Sequence, residues 1–470
     1  MEKQVIISKF LKTSGVYFFG KVATYVVSFL MIRYYTNHVV PAEYGEFELL
    51  SSLYAVIIPF FFIEIWSGLL RFTINKSIEE QRKVISTIII GILPFIFLYS
   101  IVYFFICRYN NIPHAEAMYF VSFLFLILNL MMMVSRAFSQ NTLFALSGII
   151  GALANSATGY MCVHYFHLQC DALLYAMIAN YIVQIILLVS GTKVYKYISL
   201  RLFDWPLVKK IVVFCLPFSI NTILYYINNN YYRVVVNQHL GNDVLGIFVV
   251  GTKFCVIVSF IVTVFHLAWQ ELTFSQSEDS SRFKLYDKGL SIISNSVIVL
   301  TLWIVPFVKI IAPFFIGEAY SESLTYIPFF YITLYFTSIS GFLYNTLVAE
   351  KITIFHPIVR FFSASAYMGC MYLLIDRIGV YAVVLGAVIC SVIEWILLMI
   401  ICHSKIQLRF SLLPFFFFII IYGVGIVIFK ECSKVLNTLY MITVLGVGVA
   451  YLYYMHKDLF DIFQKKNQTY

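Results

Sequence analysis

Long apolar runs separated by short polar connections follow one another along the whole chain. A helix needs about 20 apolar residues to cross the hydrocarbon core of a bilayer. On this rule the pattern predicts fourteen membrane-spanning helices, at residues 13–35, 46–70, 84–107, 116–137, 147–167, 171–191, 211–236, 244–270, 289–312, 324–347, 352–375, 378–402, 411–430 and 436–456. An even number of spans places both termini on the same side of the membrane.

Composition agrees with an all-α polytopic membrane protein. Hydrophobic residues make up 61% of the chain and charged residues only 12%, whereas the water-facing surface of a soluble domain of this length needs far more charge. The first apolar run is longer than the apolar core of a signal peptide and no small-residue cleavage site follows it. We therefore interpret it as a retained first span.

The lysines and arginines predict the orientation of the chain. With the N-terminus inside, 22 of the 32 basic residues fall on cytoplasmic segments and four fall in outer loops. Cytoplasmic loops of membrane proteins carry such an excess of Lys and Arg. The net charge of +9 therefore orients the chain in a bilayer rather than binding nucleic acid, and both termini are predicted to be cytoplasmic.

A short polar pattern at the end of a predicted helix occurs twice in the sequence, 200 residues apart. The stretch "FLMIRYYTNHVVPAEYGEF" contains Arg33 and Asn37, and "NNNYYRVVVNQHLGNDVLGIF" contains Arg233 and Asn237, each pair followed by Gly-x-Phe. The copies lie at the ends of the first and seventh predicted spans, an offset of six spans. Because six is even, a duplication would give two halves of the same orientation, related by an axis along the membrane normal.

The duplication divides the chain into four parts. They are an N-terminal six-helix lobe at 1–191, a cytoplasmic amphipathic linker at 192–210, a C-terminal six-helix lobe at 211–403, and two additional spans with a cytoplasmic tail at 404–470. The linker mixes basic residues with Tyr, Leu, Phe and Trp, which suits a helix lying at the inner membrane interface.

The sequence contains no recognisable enzyme motif. It has no Walker loop, GxSxG, HExxH or paired aspartate motif, and its outer loops are short. Its nine cysteines are scattered through apolar segments without metal-ligand spacing. We therefore predict no catalytic activity, no metal site and no resident cofactor.

Charged residues inside the spans are the candidate functional residues. A charge at the centre of a span costs about 2.5–3.5 kcal/mol on insertion scales, so its presence suggests a function. The deep cations are Lys21, Lys253 and Arg360, the cations near outer ends are Arg33 and Arg233, and the acidic residues are Glu64 and Glu394.

Each of these residues has two open interpretations. The deep cations either face an anionic substrate in a cavity or pair with Glu64 or Glu394. Arg33 and Arg233 either anchor helix ends at the interface or also contact cargo. The two glutamates bind a coupling ion, H⁺ or Na⁺, or serve as counter-ions. Three side-chain amides precede Arg233, those of Asn228, Asn229 and Asn230. They either form hydrogen bonds with sugar hydroxyls or join helices by hydrogen bonds.

An ordered set of segments resembles a known family. After the basic N-terminus come "YYTNHVVPAEYGEFELLSSLYAVIIPFF", "RVVVNQHLGNDVLGIFVVGTKF", "LAWQELTF" and "APFFIGEAYSESLTYIPFFYITLYF". This set resembles the Wzx-type oligosaccharide flippases of the MOP superfamily, which includes the MATE antiporters and the lipid II flippases. The resemblance implies two six-helix lobes in a V around a central cavity that opens alternately to each side.

The resemblance also implies a cargo and partners. The cargo would be an undecaprenyl-pyrophosphate-linked oligosaccharide, moved from the inner to the outer leaflet of a bacterial inner membrane for O-antigen, capsule or exopolysaccharide synthesis. In lipid II flippases cavity cations lie on spans 1 and 8, where this chain has Lys21 and Lys253, and two extra C-terminal helices line a groove for the lipid tail. Membrane lipids, a polysaccharide polymerase and chain-length proteins are the partners that this role allows.

Three other functions stay open. A MATE-like antiporter of small molecules would carry cations, and its cavity should be acidic, whereas the deep charges here are mostly basic. A lipid II flippase is compatible with the paired C-terminal helices. A membrane glycan polymerase or ligase is disfavoured by the short outer loops.

Overall fold

A computed structural model describes residues 2–74, 76–110, 112–275, 282–350, 352, 354–408, 413–431 and 433–455. The predicted cytoplasmic tail after residue 455 lies outside the described residues. Within them the chain is helical, and sixteen α-helices and short 3₁₀ turns make up its regular structure. The predicted all-α fold class is confirmed.

Every predicted span overlaps at least one observed helix. The α-helices are α1 Glu2–His38, α2 Pro41–Phe61, α3 Ile65–Thr73, α4 Ile78–Asn110, α5 Ala115–Ala137, α6 Asn141–Phe166, α7 Cys170–Thr192, α8 Trp205–Asn229, α9 Tyr232–Lys253, α10 Cys255–Ser275, α11 Arg282–Phe315, α12 Ile327–Ala349, α13 Phe355–Ile378, α14 Tyr381–Ile406, α15 Leu413–Glu431 and α16 Lys434–Met455.

Helix length and apolarity support a multi-pass membrane protein. Among the described residues, 11 helical segments are long and apolar enough to cross a bilayer, with α8 and α9 counted together as Trp205–Lys253. Helices α1, α3, α10 and α15 are not among them. The total of fourteen spans, the cytoplasmic termini and the inner membrane therefore stay predictions.

The chain divides into two compact units, which we call unit 1 (Met1–Asn237) and unit 2 (Gln238–Tyr470). The boundary falls inside α9 rather than at the linker that the duplication suggests. Helix α8, which the repeat assigns to the second half, packs against α2, α3 and α4 within unit 1. Packing therefore groups this helix with the first half of the sequence.

The segment between α7 and α8 does not form the continuous interfacial helix expected for 192–210. It contains two short 3₁₀ turns, Val194–Lys196 and Leu200–Leu202. The Ser86 hydroxyl of α4 donates to the Tyr197 carbonyl at 3.0 Å and accepts from the Ser199 amide at 2.9 Å. These local bonds satisfy the backbone that a helix would otherwise satisfy internally.

Unit 2 holds the two C-terminal helices through polar contacts with α11. The Lys309 ammonium donates to the carbonyls of Ile428 and Phe429 in the last turns of α15, where a cation complements the negative end of the helix. The Asn437 side chain of α16 donates to the Pro306 carbonyl at 2.8 Å. Lys309 therefore binds the C-terminal end of α15.

Candidate functional site

The second predicted span, residues 46–70, is broken near its centre. Helix α2 ends at Phe61 and α3 begins at Ile65. Ile63 and Glu64 have φ values of 52° and 47°, in the left-handed region that non-glycine residues rarely adopt. Breaks of this kind in membrane helices are tolerated where protein or a polar cavity satisfies the backbone.

Glu64 stands at this break, immediately before α3. Its Oε1 accepts a hydrogen bond from the Ser67 hydroxyl at 3.1 Å, and its Oε2 accepts one from the Thr222 hydroxyl of α8 at 2.7 Å. The positive end of α3 adds to these neutral donors. Among the described residues no basic side chain is recorded within ion-pair distance of Glu64.

The seventh predicted span, residues 211–236, is also discontinuous. Helix α8 ends at Asn229 and α9 begins at Tyr232, and Gly241 interrupts α9 with φ 87°. The Asn229 amide donates to the Tyr225 carbonyl of its own helix at 2.9 Å. The Asn228 side-chain amide is buried and has no hydrogen-bond partner within the described part of the chain. Of the three predicted sugar-contacting amides, Asn228 thus has unused hydrogen-bonding capacity.

Arg233 follows this break and is buried in unit 1. Its side chain is 14% exposed, and its Nη2 lies 3.3 Å from Oε2 of Glu48, whose side chain is 6% exposed. Its Nη1 donates to the side-chain oxygen of Asn230. The guanidinium therefore forms a buried ion pair rather than snorkelling to an interface.

The pair belongs to a polar seam between α2 and the α8–α9 segment. Along the seam the Ser52 hydroxyl lies 3.4 Å from the Tyr226 hydroxyl, and the Ser219 hydroxyl donates to the Pro59 carbonyl at 3.0 Å. The Glu64–Thr222 bond and the Glu48–Arg233 pair lie at its two ends. Interhelical hydrogen bonds of this kind join helices in membranes, where apolar burial gives no preference for protein over lipid.

Lys21 lies on the exposed side of α1. The preceding residue, Gly20, faces α6 so closely that a Cβ there would lie 2.8 Å from the Ala145 Cβ. One helical position further on, about 100° around the axis, Lys21 is exposed. In the part of the chain that the structure describes, Lys21 forms no ion pair or hydrogen bond.

Arg33 lies near the end of the same helix, and it is exposed. Its carbonyl accepts a hydrogen bond from the Asn37 side chain at 2.6 Å. The two arginines of the sequence repeat therefore have different environments, since Arg233 is buried and paired with Glu48.

Lys253 is in unit 2, at the end of α9. The eighth predicted span, residues 244–270, is interrupted directly after it, because α10 begins at Cys255. The Phe254 carbonyl at the interruption accepts a hydrogen bond at 2.9 Å from the Tyr331 hydroxyl of α12, a residue that is fully buried. Lys253 itself is half-buried. Lys21 and Lys253 thus lie on helices of different units.

Arg360 pairs with Glu394 inside unit 2. Its Nε lies 3.5 Å from Glu394 Oε1, and the two side chains are 31% and 9% exposed. This is the pairing that the sequence left open for the deep cations. The counter-ion interpretation therefore describes Glu394, and Arg360 carries a charge that is already largely balanced.

Sequence reasoning missed Glu48 as the partner of Arg233. Glu48 lies near the start of a predicted span, where a charge needs no special explanation, and 185 residues separate the two. Only the tertiary fold brings such a pair together.

Comparisons with known proteins identify the fold. No protein-family model matches the sequence, and no curated protein matches it significantly. Among solved structures, the lipid II flippase MurJ in an inward closed conformation matches with a TM-score of 0.68 at 15% identity, over 96% of this chain and 100% of that chain. A multidrug resistance MATE family transporter of the MOP superfamily, inward-facing, matches with a TM-score of 0.67 at 14% identity, over 82% and 94%.

A third solved structure belongs to another transporter of this superfamily. It is a MOP superfamily transporter from Pyrococcus furiosus, described by a reversed polarity of its binding pocket, and it matches with a TM-score of 0.53 at 12% identity, over 85% of this chain and 96% of that chain. The chain therefore has the helical fold of these membrane transporters and flippases. At such identities the likeness concerns the fold alone.

Proposed function

We propose that this protein is a flippase for undecaprenyl-pyrophosphate-linked oligosaccharides in a bacterial inner membrane. It would move repeat units from the cytoplasmic to the outer leaflet by alternating access, for synthesis of O-antigen, capsule or a similar surface polysaccharide. The observation that carries the proposal is Lys21, an exposed cation in the predicted first span that no described carboxylate neutralises.

The positive sign of the deep charges favours an anionic cargo. Two of the five candidate cations, Arg233 and Arg360, are paired with glutamates. Lys21 has no carboxylate partner among the described residues, and Lys253 and Arg33 remain candidates from their places in the predicted spans. An ammonium group can replace water around a pyrophosphate, although it lacks the bidentate geometry of arginine. A cationic drug would instead need an acidic site. An inside-negative potential also favours outward movement of an anion, by about 2.3 kcal/mol per charge for 100 mV.

The C-terminal helices favour a lipid-linked cargo. The 4% of this chain that the MurJ structure leaves unmatched is shorter than α15 and α16, which contain 19 and 22 residues. That match therefore includes at least part of the pair, whereas the MATE match leaves 18% of the chain uncovered. Helices α15 and α16 expose large apolar side chains along much of their length, as a surface for a polyprenyl tail would require.

Glu64 is the proposed site for a coupling cation, H⁺ or Na⁺. It is a carboxylate at a helix break, held by two hydroxyl groups and by no basic side chain among the described residues. Broken membrane helices supply carbonyl and carboxylate oxygens for such ions in other transporters. Uptake of a cation would neutralise Glu64 and change its bond to Thr222 in α8.

A Glu64→Gln variant tests the coupling role. The amide keeps the shape of the side chain but cannot take up a proton or balance Na⁺, so we expect transport that no longer responds to an imposed H⁺ or Na⁺ gradient. Glu79→Gln, which alters an exposed residue near the start of α4, is the control and should keep the wild-type response. Transport by Glu64→Gln that still follows the gradient would remove Glu64 from the coupling mechanism.

Complementation tests the proposed function. In a strain that lacks its oligosaccharide flippase, the wild-type gene should restore surface glycan, and Lys21→Ala and Lys253→Ala proteins should insert normally yet fail to restore it. Full restoration by both variants would exclude these lysines from the site.

Lipid II flipping is the second candidate, because the MurJ structure matches 96% of this chain. The two functions share an undecaprenyl-pyrophosphate anchor and differ in the attached sugar. Rescue of a strain depleted of its lipid II flippase, without restoration of surface glycan in the first strain, would favour this alternative.

A further inference from the structure

Three helix N-termini of unit 1 meet at a cluster of metal-ligating side chains. Glu43 is in the first turn of α2, His114 immediately precedes α5, and Cys170 is the first residue of α7. The connections that contain or precede these residues are outer loops in the predicted topology. The cluster is separate from the candidate residues described above.

The three side chains converge on one point. One ligand atom from each of Glu43, His114 and Cys170 lies within 4.8 Å of the others. A tetrahedral Zn²⁺ site with bonds of about 2.0–2.3 Å sets its donor atoms about 3.3–3.8 Å apart. A shift of about an ångström, within reach of small side-chain rotations, would therefore close the cluster around an ion.

Cys170 is the second observation that points to a ligand. Its side chain is completely buried, and its thiol forms no hydrogen bond to any described residue. Buried cysteines are often simple apolar core residues, and Cys170 does pack in the hydrophobic core of unit 1. Its sulfur also lies within 4.8 Å of ligand atoms of Glu43 and His114. A thiolate bound to a metal ion would suit these neighbours.

His114 is oriented as a metal-binding histidine is. Its Nδ1 lies 2.6 Å from Oδ1 of Asp171. The carboxylate can therefore accept a hydrogen bond from Nδ1–H, which leaves the lone pair of Nε2 available to bind a metal ion. Histidine ligands usually have such a carboxylate on their other nitrogen, which fixes the tautomer and the ring direction. The left-handed backbone of His114, with φ 55°, places the ring between α2 and α7.

Charge at the cluster is not balanced by basic side chains. Glu43, Glu46 and Asp171 bring three carboxylates, and no Lys or Arg pairs with them among the described residues. Glu43 Oε2 accepts a hydrogen bond from the backbone amide of Cys170 at 3.1 Å. Glu46 Oε1 lies 3.8 Å from His114 Nε2. Three helix N-termini supply roughly half a positive charge each, which leaves negative charge for a divalent cation.

We propose that Glu43, His114 and Cys170 bind one divalent transition-metal ion of the Zn²⁺ class. The Glu46 carboxylate or a water completes the coordination, and Asp171 orients the histidine. A thiolate and an imidazole select such an ion over Ca²⁺ or Mg²⁺, which take oxygen ligands. The ion links the N-terminal ends of α2, α5 and α7 on one face of unit 1. This inference does not depend on the transported substrate.

Co²⁺ binding to the full-length protein in detergent is the test. We expect one Co²⁺ per chain, tetrahedral d–d bands, a thiolate-to-metal charge-transfer band, and displacement by Zn²⁺ but not by Mg²⁺. Cys170→Ser should abolish the charge-transfer band, whereas Cys162→Ser, a control at another cysteine, should retain it. Asp171→Asn should weaken binding by about 10- to 100-fold, as loss of a histidine-orienting carboxylate does.

The wild-type protein decides the outcome even if a variant fails to fold. Absence of stoichiometric Co²⁺ and Zn²⁺ binding to folded wild-type protein would overturn the proposal and leave a hydrogen-bond cluster that caps α7. A charge-transfer band that survives in Cys170→Ser, or disappears in Cys162→Ser, would also overturn it by assigning the thiolate elsewhere.

Discussion

Replacing Lys21 by alanine is expected to slow export of a pyrophosphate-linked glycan by about 10- to 100-fold, the range that loss of one charge-assisted hydrogen bond predicts. The side chain is exposed on α1 and unpaired within the described residues, so its removal leaves no buried charge behind and should not affect folding. The rate is measured as surface glycan restored per unit of inserted protein in a flippase-deficient strain.

Two variants sharpen this test. Lys21→Arg keeps the charge and should retain most of the activity, and Lys209→Ala removes an exposed lysine near the start of α8 and should have little effect. Equal activity of Lys21→Ala and wild type at equal insertion would contradict the proposed role of this ammonium group.

Replacing Arg233 by methionine is expected to reduce the free energy of unfolding by about 3–5 kcal/mol, because it leaves the buried Glu48 carboxylate without its partner. The pair joins α2 to α9 at 3.3 Å with both side chains largely buried. The loss would appear as a lower thermal midpoint of the detergent-purified protein and a smaller folded fraction on size-exclusion chromatography.

The sequence repeat offers a matched control. Arg33→Met changes the corresponding arginine of the first copy, which is exposed, and exposed ion pairs contribute about 0–1 kcal/mol. The double variant Arg233→Met with Glu48→Leu should recover much of the lost stability, because no charge remains buried. A double variant as unstable as the single one, or an equal loss in Arg33→Met, would show that the pair is not what stabilises this seam.

The positions of the helices could be predicted because the length of an apolar run indicates whether it forms a membrane-spanning helix. Each predicted span overlaps an observed helix, and the predicted span 116–137 coincides within one residue with α5, Ala115–Ala137. The all-α fold class needed no tertiary information, since lipid leaves few alternatives to the helix for a chain of this composition.

The breaks in the helices were not predictable from the same pattern. Pro59 precedes the α2–α3 break, and proline often kinks a helix, yet Pro94 and Pro217 lie inside helices that continue. At the break, Glu64 is bonded to Thr222, 158 residues away. A local pattern does not contain that information.

The candidate charges show the same limit. The sequence singled out Arg360 and Glu394 as residues that need a partner or a ligand, and it contains no sign that the fold places their charged groups 3.5 Å apart. It predicted no metal site because the cysteines lack metal-ligand spacing, whereas the fold places ligand atoms of Glu43, His114 and Cys170 within 4.8 Å of one another. Depth along a helix is readable from sequence, whereas contacts between helices are not.

Flipping by the purified protein in proteoliposomes tests the central claim most directly. An undecaprenyl-pyrophosphate-linked oligosaccharide in the inner leaflet should reach the outer leaflet at a rate that depends on the protein and falls in Lys21→Ala and Lys253→Ala. Vesicles that leave this lipid in place, but exchange an organic cation for H⁺ or Na⁺ when the same protein is present, would contradict the account and identify a cation antiporter.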